Sequence, residues 1–150
     1  MRRAPVALGL LVALVAAATV AAYLVLDAQR TPDVNCATFR FDSSSWKAWQ
    51  TDANTGPYGP EHRPGSRFSA AQVAAHGLVE CGELDGLTRR DVAARLGVPD
   101  GHAPGDQAWE YAVGPGQGLL GESSSAEESL VVRFDDNDRI VDGGVSTRRK

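Results

Sequence analysis

Cysteine, lysine, isoleucine and methionine are nearly missing from this 150-residue chain, which has two cysteines, two lysines, one isoleucine and only the initiating methionine. No C-x-x-C occurs, and neither Cys36 nor Cys81 has a histidine at ligand spacing, so a dithiol redox motif and a zinc ribbon are excluded. Basic residues are outnumbered 15 to 19, and without Arg2 and Arg3 the ratio is 13 to 19. A surface with that balance repels a phosphate backbone, so nucleic acid is not an expected partner. The first 26 residues contain no Asp, Glu, Lys, His, Asn or Gln, which leaves 124 residues for a domain that folds in water. That is room for one small domain.

What the amino terminus does have is an uncharged run of 23 residues, Ala4 to Leu26, behind a basic stub of residues 1–3. At ~1.5 Å per residue such a helix is about 34 Å long, enough for a hydrocarbon core of roughly 30 Å. The sequence therefore predicts a transmembrane anchor over residues 4–26, with the membrane as a direct partner. The positive-inside rule puts Arg2 and Arg3 in the cytoplasm and the carboxy-terminal domain outside, as a single-pass plasma-membrane protein. A cleaved signal peptide is the competing reading, because Ala16, Ala17, Ala18, Ala21 and Ala22 supply small residues. The apolar run outlasts a normal h-region of ~7–15 residues, which favours retention. A lipoprotein is excluded, since Cys36 lies well past the run and follows Asp33-Val34-Asn35.

Both readings export the rest of the chain, and there Cys36 and Cys81 are expected to form a disulfide. Residues 27–35 read as a spacer. Residues 36–65 form an aromatic-containing extension followed by a loop rich in proline and glycine. Within it, Asp42 or Ser43 caps a helical turn that carries Trp46 and Trp49 on one side. These rings cover the edge of a small core or, in a sharper reading, form a sugar or peptide platform.

A domain over 66–145 follows. Ser69-Ala70-Ala71-Gln72 is a capping box, and Ala70, Val73, Ala74, Gly77, Leu78 and Cys81 recur at helical spacing as one buried stripe. Thr88-Arg89-Arg90-Asp91 resembles a second box, Gly97 ends that helix and Pro99 forbids its continuation. The tight Gly82–Gly86 connector predicts an antiparallel helix hairpin. Alternation then marks strands: Trp109, Tyr111 and Val113 share one face, as do Leu130, Val132 and Phe134, and a third strand runs from Arg139 to near Val145. Asp135-Asp136-Asn137-Asp138 is the turn between the last two. Gly114 to Glu128 reads as a long loop that displays Leu119 and Leu120, and 146–150 as a frayed tail.

Leu84-Asp85-Gly86-Leu87-Thr88-Arg89-Arg90-Asp91-Val92, then Leu96-Gly97-Val98-Pro99, Trp109-Glu110-Tyr111 and Val132-Arg133-Phe134-Asp135 resemble the small outer-membrane assembly lipoproteins of the SmpA/OmlA (BamE-like) family. The family pattern runs G-(L/M)-(S/T)-x-x-(D/E)-V, L-G-x-P, W-x-Y and a strand ending F-D, and its order is kept over about half of the exported residues. The resemblance implies an α+β fold, a two-helix hairpin on a three-stranded antiparallel sheet, shared in architecture with β-lactamase-inhibitor-protein-like domains. It also implies a binding or scaffold module, not an enzyme.

Candidate chemistry is sparse. His62, His76 and His102 are dispersed, Ser123-Ser124-Ser125 has no G-x-S-x-G around it, and Gly114-Pro115-Gly116-Gln117-Gly118 does not open a helix that could hold phosphate. The Asp135–Asp138 run lacks the glycine and terminal glutamate of a calcium loop. No cofactor and no metal are expected. The residues point to a membrane-anchored extracytoplasmic protein of the bacterial cell envelope that binds another envelope protein, with Leu119 and Leu120 as candidate partner-binding residues. The alternative is an envelope hydrolase, which a deep cleft around His76 or His102 would favour.

Overall fold

The computed structural model describes residues 12–22, 31–51, 59–60, 66–102, 107–117 and 123–149. It is an α+β fold with four helices among the described residues: helical residues 12–22 (α1), Ser43–Thr51 (α2), Ala70–Glu80 (α3) and Arg89–Leu96 (α4). The antiparallel sheet has the order β1-β2-β3-β4, from β1 (Gly101–His102), β2 (Ala108–Gln117), β3 (Ser123–Phe134) and β4 (Ile140–Arg149). Three long strands thus carry the sheet, and the two-residue β1 lies along the outer side of β2.

The expected transmembrane helix over residues 4–26 is corrected. Helix α1 has 11 described residues, about 16 Å at ~1.5 Å each, roughly half of a ~30 Å hydrocarbon core. Among the described residues no helix is long and apolar enough to cross a membrane, so the single-pass plasma-membrane placement loses its support. Residues 1–11 and 23–30 of that region lie outside the described residues.

Both capping boxes form. Ser69 accepts from the Gln72 amide while Gln72 returns a bond to the Ser69 amide, and Thr88 and Asp91 do the same for α4. A cap of this kind is worth about 1 kcal/mol. The other end of α4 is finished by its neighbours. The last four carbonyls of a helix have no partner within it, and here they accept from side chains. Lys47 donates to Ala94, Ser43 to Arg95, Trp46 to Leu96 and the Tyr111 hydroxyl to Gly97. Three of those four donors lie on α2.

Helix α2 therefore does more than cover an edge. It packs on both α3 and α4, whereas the connector leads one to expect those two to pair directly. Trp46 is 1% exposed and meets Phe41 and Tyr111 ring to ring at 5.8 and 6.3 Å. The core comprises Trp46, Ala71, Ala75, Leu78, Leu84, Val92, Leu96, Tyr111, Val113, Leu130, Val132 and Phe134. The alternation in β2 and β3 thus assigned the helix-facing residues correctly, Phe134 included.

The Cys36–Cys81 disulfide forms, with 5.3 Å between the Cα atoms, and ties the segment before α2 to the end of α3. Phe39 lies on the same helix directly over Gly77, where an added Cβ would stand 2.1 Å from the ring. Only glycine admits that approach.

The strands are longer than their sequence signals. β2 continues to Gln117 and β3 begins at Ser123, so much of the expected loop is ladder. β4 in turn runs to Arg149, because Ala126 and Glu127 offer partners to Arg149 and Arg148. Residues 146–149, read as tail, are strand. Leu119 and Leu120 lie outside the described residues.

Candidate functional site

Helix α3 has two working faces. The stripe Ala70, Val73, Ala74, Gly77, Leu78 and Cys81 does not form one buried face. Ala71, Ala75 and Leu78 enter the core, together with Gln72 and His76, while Ala70, Val73 and Ala74 are half-buried and line a groove. Alanine is equally at home on either face, so spacing alone assigned the wrong one. The decisive residues are polar and face inward.

That inward polar cluster joins α3 to the sheet. The Gln72 side-chain amide donates to Glu128 Oε2 at 2.6 Å and to the Pro115 carbonyl at 3.0 Å. His76 Nε2 lies 3.2 Å from Glu128 Oε1, and its Nδ1 lies 3.3 Å from Glu80 Oε1. Gln72, His76 and Glu128 are all buried. Burial pulls the His76 imidazole toward a lower pKa, but the hydrogen bond and charge of Glu128, followed by those of Glu80, together outweigh it and raise it. The ladder register shifts between Ala112 and Gly114, leaving Val113 as the extra residue of a bulge. Gly114 is required there, since a Cβ would stand 2.7 Å from the Gln72 side chain.

A histidine between carboxylates resembles the base and orienting group of a hydrolase. Here both ring nitrogens already face carboxylates, so neither is left to serve a nucleophile. His76 lines neither of the two cavities described below. The backbone of His102 lies in β1, Ser123 to Ser125 lie in β3, and His62 is outside the described residues. Asp135 accepts from the Arg139 and Asn137 amides and shapes the hairpin turn, and these bonds hold its pKa down. Among the described residues no group of three His, Cys, Asp or Glu side chains is placed to hold a metal ion.

The larger cavity is an open groove of about 540 Å³ on the opposite side of α3. Its walls are the segment from Asp33 to Asp42, Ser45 and Trp49 of α2, Pro60, and Ala70, Val73 and Ala74 of α3. Phe39, Phe41, Trp49 and Val73 supply half-buried apolar surface, with Asp33, Arg40 and Asp42 among the polar lining. The two tryptophans of α2 thus diverge: Trp46 is a core residue, and Trp49 faces the groove.

Ser45 is the groove's one hydroxyl hydrogen-bonded to an acid, donating to Asp42 Oδ2 at 2.7 Å. Asp42 also accepts from the Ser44 hydroxyl and from the Ser44 and Ser45 amides, and these bonds bring its carboxyl down to about 2. So acidic a group cannot take a proton from a hydroxyl near neutral pH. The arrangement is an N-terminal cap for α2. A smaller cavity of about 220 Å³ lies between the α3–α4 connector and β4, bordered by Leu84, Asp85, Ile140 and Asp142.

The aromatic pair was visible in the sequence as a possible platform, but the groove was not. Its walls come from three separate segments, and no periodicity links them. The chain matches no family model, no curated protein and no solved structure.

Proposed function

We propose that this chain is a non-catalytic binding module of an oxidising, extracytoplasmic compartment, acting by protein–protein contact. The supporting observation is the open groove, whose apolar lining is contributed by Phe39, Phe41, Trp49 and Val73 and in which the described residues form no pairing of nucleophile and base. Pockets of that make-up suit recognition, with a few polar groups to orient what binds. The disulfide fits the compartment. Kinship with the BamE-like envelope proteins belongs to the same proposal and is supported by the helix-start and strand motifs quoted above. The occupant we propose is an apolar segment of an envelope protein. No described cavity surrounds a titratable group poised for acid–base work, so the hydrolase alternative has less to recommend it.

A photo-cross-linking amino acid at Thr38, in the groove, tests this against one at Arg133, on the exposed sheet. The groove position is expected to yield one discrete adduct in the native envelope. Trp49→Ala should abolish that adduct while leaving cooperative unfolding intact. Equal labelling from the two positions, or an adduct that survives Trp49→Ala, overturns the proposal.

A further inference from the structure

The two edges of the sheet are treated differently. The outer edge of β2 is closed at nearly every step: Asp100 accepts from the Ala112 amide at 2.9 Å, Ser69 donates to the Val113 carbonyl at 2.8 Å, Gln72 donates to the Pro115 carbonyl, and β1 pairs with Trp109 and Glu110. The outer edge of β4 is covered only at its start, where the Ile140 amide donates to Leu87 and Arg139 bridges to Thr88. From Asp142 to Arg149 no described backbone group bonds outward; the bulge of β4, at Val141, lies before this stretch, which has no proline and no lysine to deter pairing. An open edge of this length is a template for another strand.

We propose that a second copy of this chain occupies it, β4 pairing antiparallel with β4 of its partner about a two-fold axis at Val145. The register is set by charge. From Ala126–Arg149 to Arg133–Asp142 the β3–β4 ladder runs without a shift, so Glu127, Arg133, Asp142 and Arg148 lie on one face. Arg133 is opposite Asp142, with 2.6 Å between Nη1 and Oδ2, and Glu127 is opposite Arg148. Centring the two-fold on Val145 sets Asp142 opposite Arg148 of the second copy. Each row across the four strands β3, β4, β4 and β3 then alternates plus, minus, plus, minus. Moving the centre by one residue toward Gly144 sets Asp142 opposite Ser146 and ends that alternation. Opposite charges facing across strands stabilise a sheet and like charges destabilise it. Gly144, which has no atom within 4 Å of where its Cβ would be, comes opposite Ser146, so nothing bulky obstructs the approach. The contact is isologous and closes on itself. It shares no residue with the groove.

Mixing tests the register directly. Full-length oxidised protein carrying Gly144→Cys, mixed with protein carrying Ser146→Cys, is expected to give a covalent dimer on a non-reducing gel. Either variant alone should give at least tenfold less. Sedimentation equilibrium should find the parent dimeric, Asp142→Arg monomeric and Asp142→Arg/Arg148→Asp dimeric again, with thermal unfolding confirming that each is folded. A parent that stays monomeric up to millimolar concentration overturns the proposal and leaves the edge to an extended segment of a different protein. Equal cross-linking by the single variants overturns the register.

Discussion

Toward the amino-terminal segment, α3 is held by a covalent bond and by apolar packing. Toward the sheet, Ala71, Ala75 and Leu78 pack in the core, and the first half of the helix is held in addition by hydrogen bonds and charge. The first attachment consists of Cys36–Cys81, Phe39 over Gly77, and α2 with Trp46 in the core. The second consists of Gln72 and His76 on Glu128. Apolar contacts and disulfides respond little to pH. Buried charge pairs respond strongly. The sheet side of the helix therefore carries a pH-sensitive part that the other side lacks, and the groove opens on that other side.

The largest expected effect comes from the side that carries the disulfide. Trp46→Ala removes a side chain that is 1% exposed, touches Phe41 and Tyr111, and donates to the Leu96 carbonyl at 3.1 Å. Truncating a buried tryptophan costs about 3–5 kcal/mol, and denaturant unfolding should show a loss in that range. Trp49→Ala, three residues along the same helix, should cost much less because Trp49 is only half-buried. Equal losses would mean that α2 is held by its surface and not by its core residue.

How far the sequence disclosed this arrangement depends on which forces leave a local trace. Capping boxes at Ser69 and Thr88 are spelled out within four residues, and strand alternation announced Tyr111, Leu130, Val132 and Phe134. The disulfide followed from compartment and count. The inward turn of Gln72 and His76 could not be read locally, because it depends on Glu128, which is 52 residues beyond His76. A buried carboxylate looks like any loop glutamate until its partners are known. The strand ends were missed for a related reason: Ser123 to Ala126 and Ser146 to Arg149 lack apolar alternation and are ordered by their partners, Ser123 by Gln117 of β2 and Ser146 to Arg149 by Ala126 to Ser129 of β3. The 23-residue apolar run misled in the other direction, since length and hydropathy suggested a span that the described helix does not reach.

Next in size is the disulfide. Cys36 and Cys81 are 45 residues apart, and a bridge closing a loop of this length typically contributes about 2–4 kcal/mol. The double substitution Cys36→Ser/Cys81→Ser should lower stability by that amount. The loss should be the same on either side of neutrality, because no titrating group is removed. Chemical denaturation at two pH values measures both points. A loss that varies with pH would show that the bridge and the polar cluster are coupled through α3.

The smallest effect, and the one that separates the two attachments most sharply, lies at the polar cluster. Glu128→Ala leaves the Gln72 amide and His76 without their buried acceptor, at a cost of about 1–3 kcal/mol. The pH dependence has a definite sign. His76 has a pKa raised above its ordinary 6.5, so the folded state holds the proton more tightly than the unfolded chain. Its stabilising contribution is complete below 6.5 and is lost as pH rises through the higher folded value. Unfolding free energy should therefore fall as the solution is made alkaline across that window, and His76→Gln should remove this slope. Glu128→Ala should reduce it too, leaving only the weaker pull of Glu80, whose side chain is 44% exposed. If His76→Gln leaves the slope unchanged, the proton is held elsewhere and the polar part of the sheet-side attachment is not pH-sensitive. If the slope vanishes while the loss from Cys36→Ser/Cys81→Ser stays constant with pH, the two sides of α3 are independent. A rise in pH then weakens the polar part of the contact between helix and sheet without opening the wall of the groove.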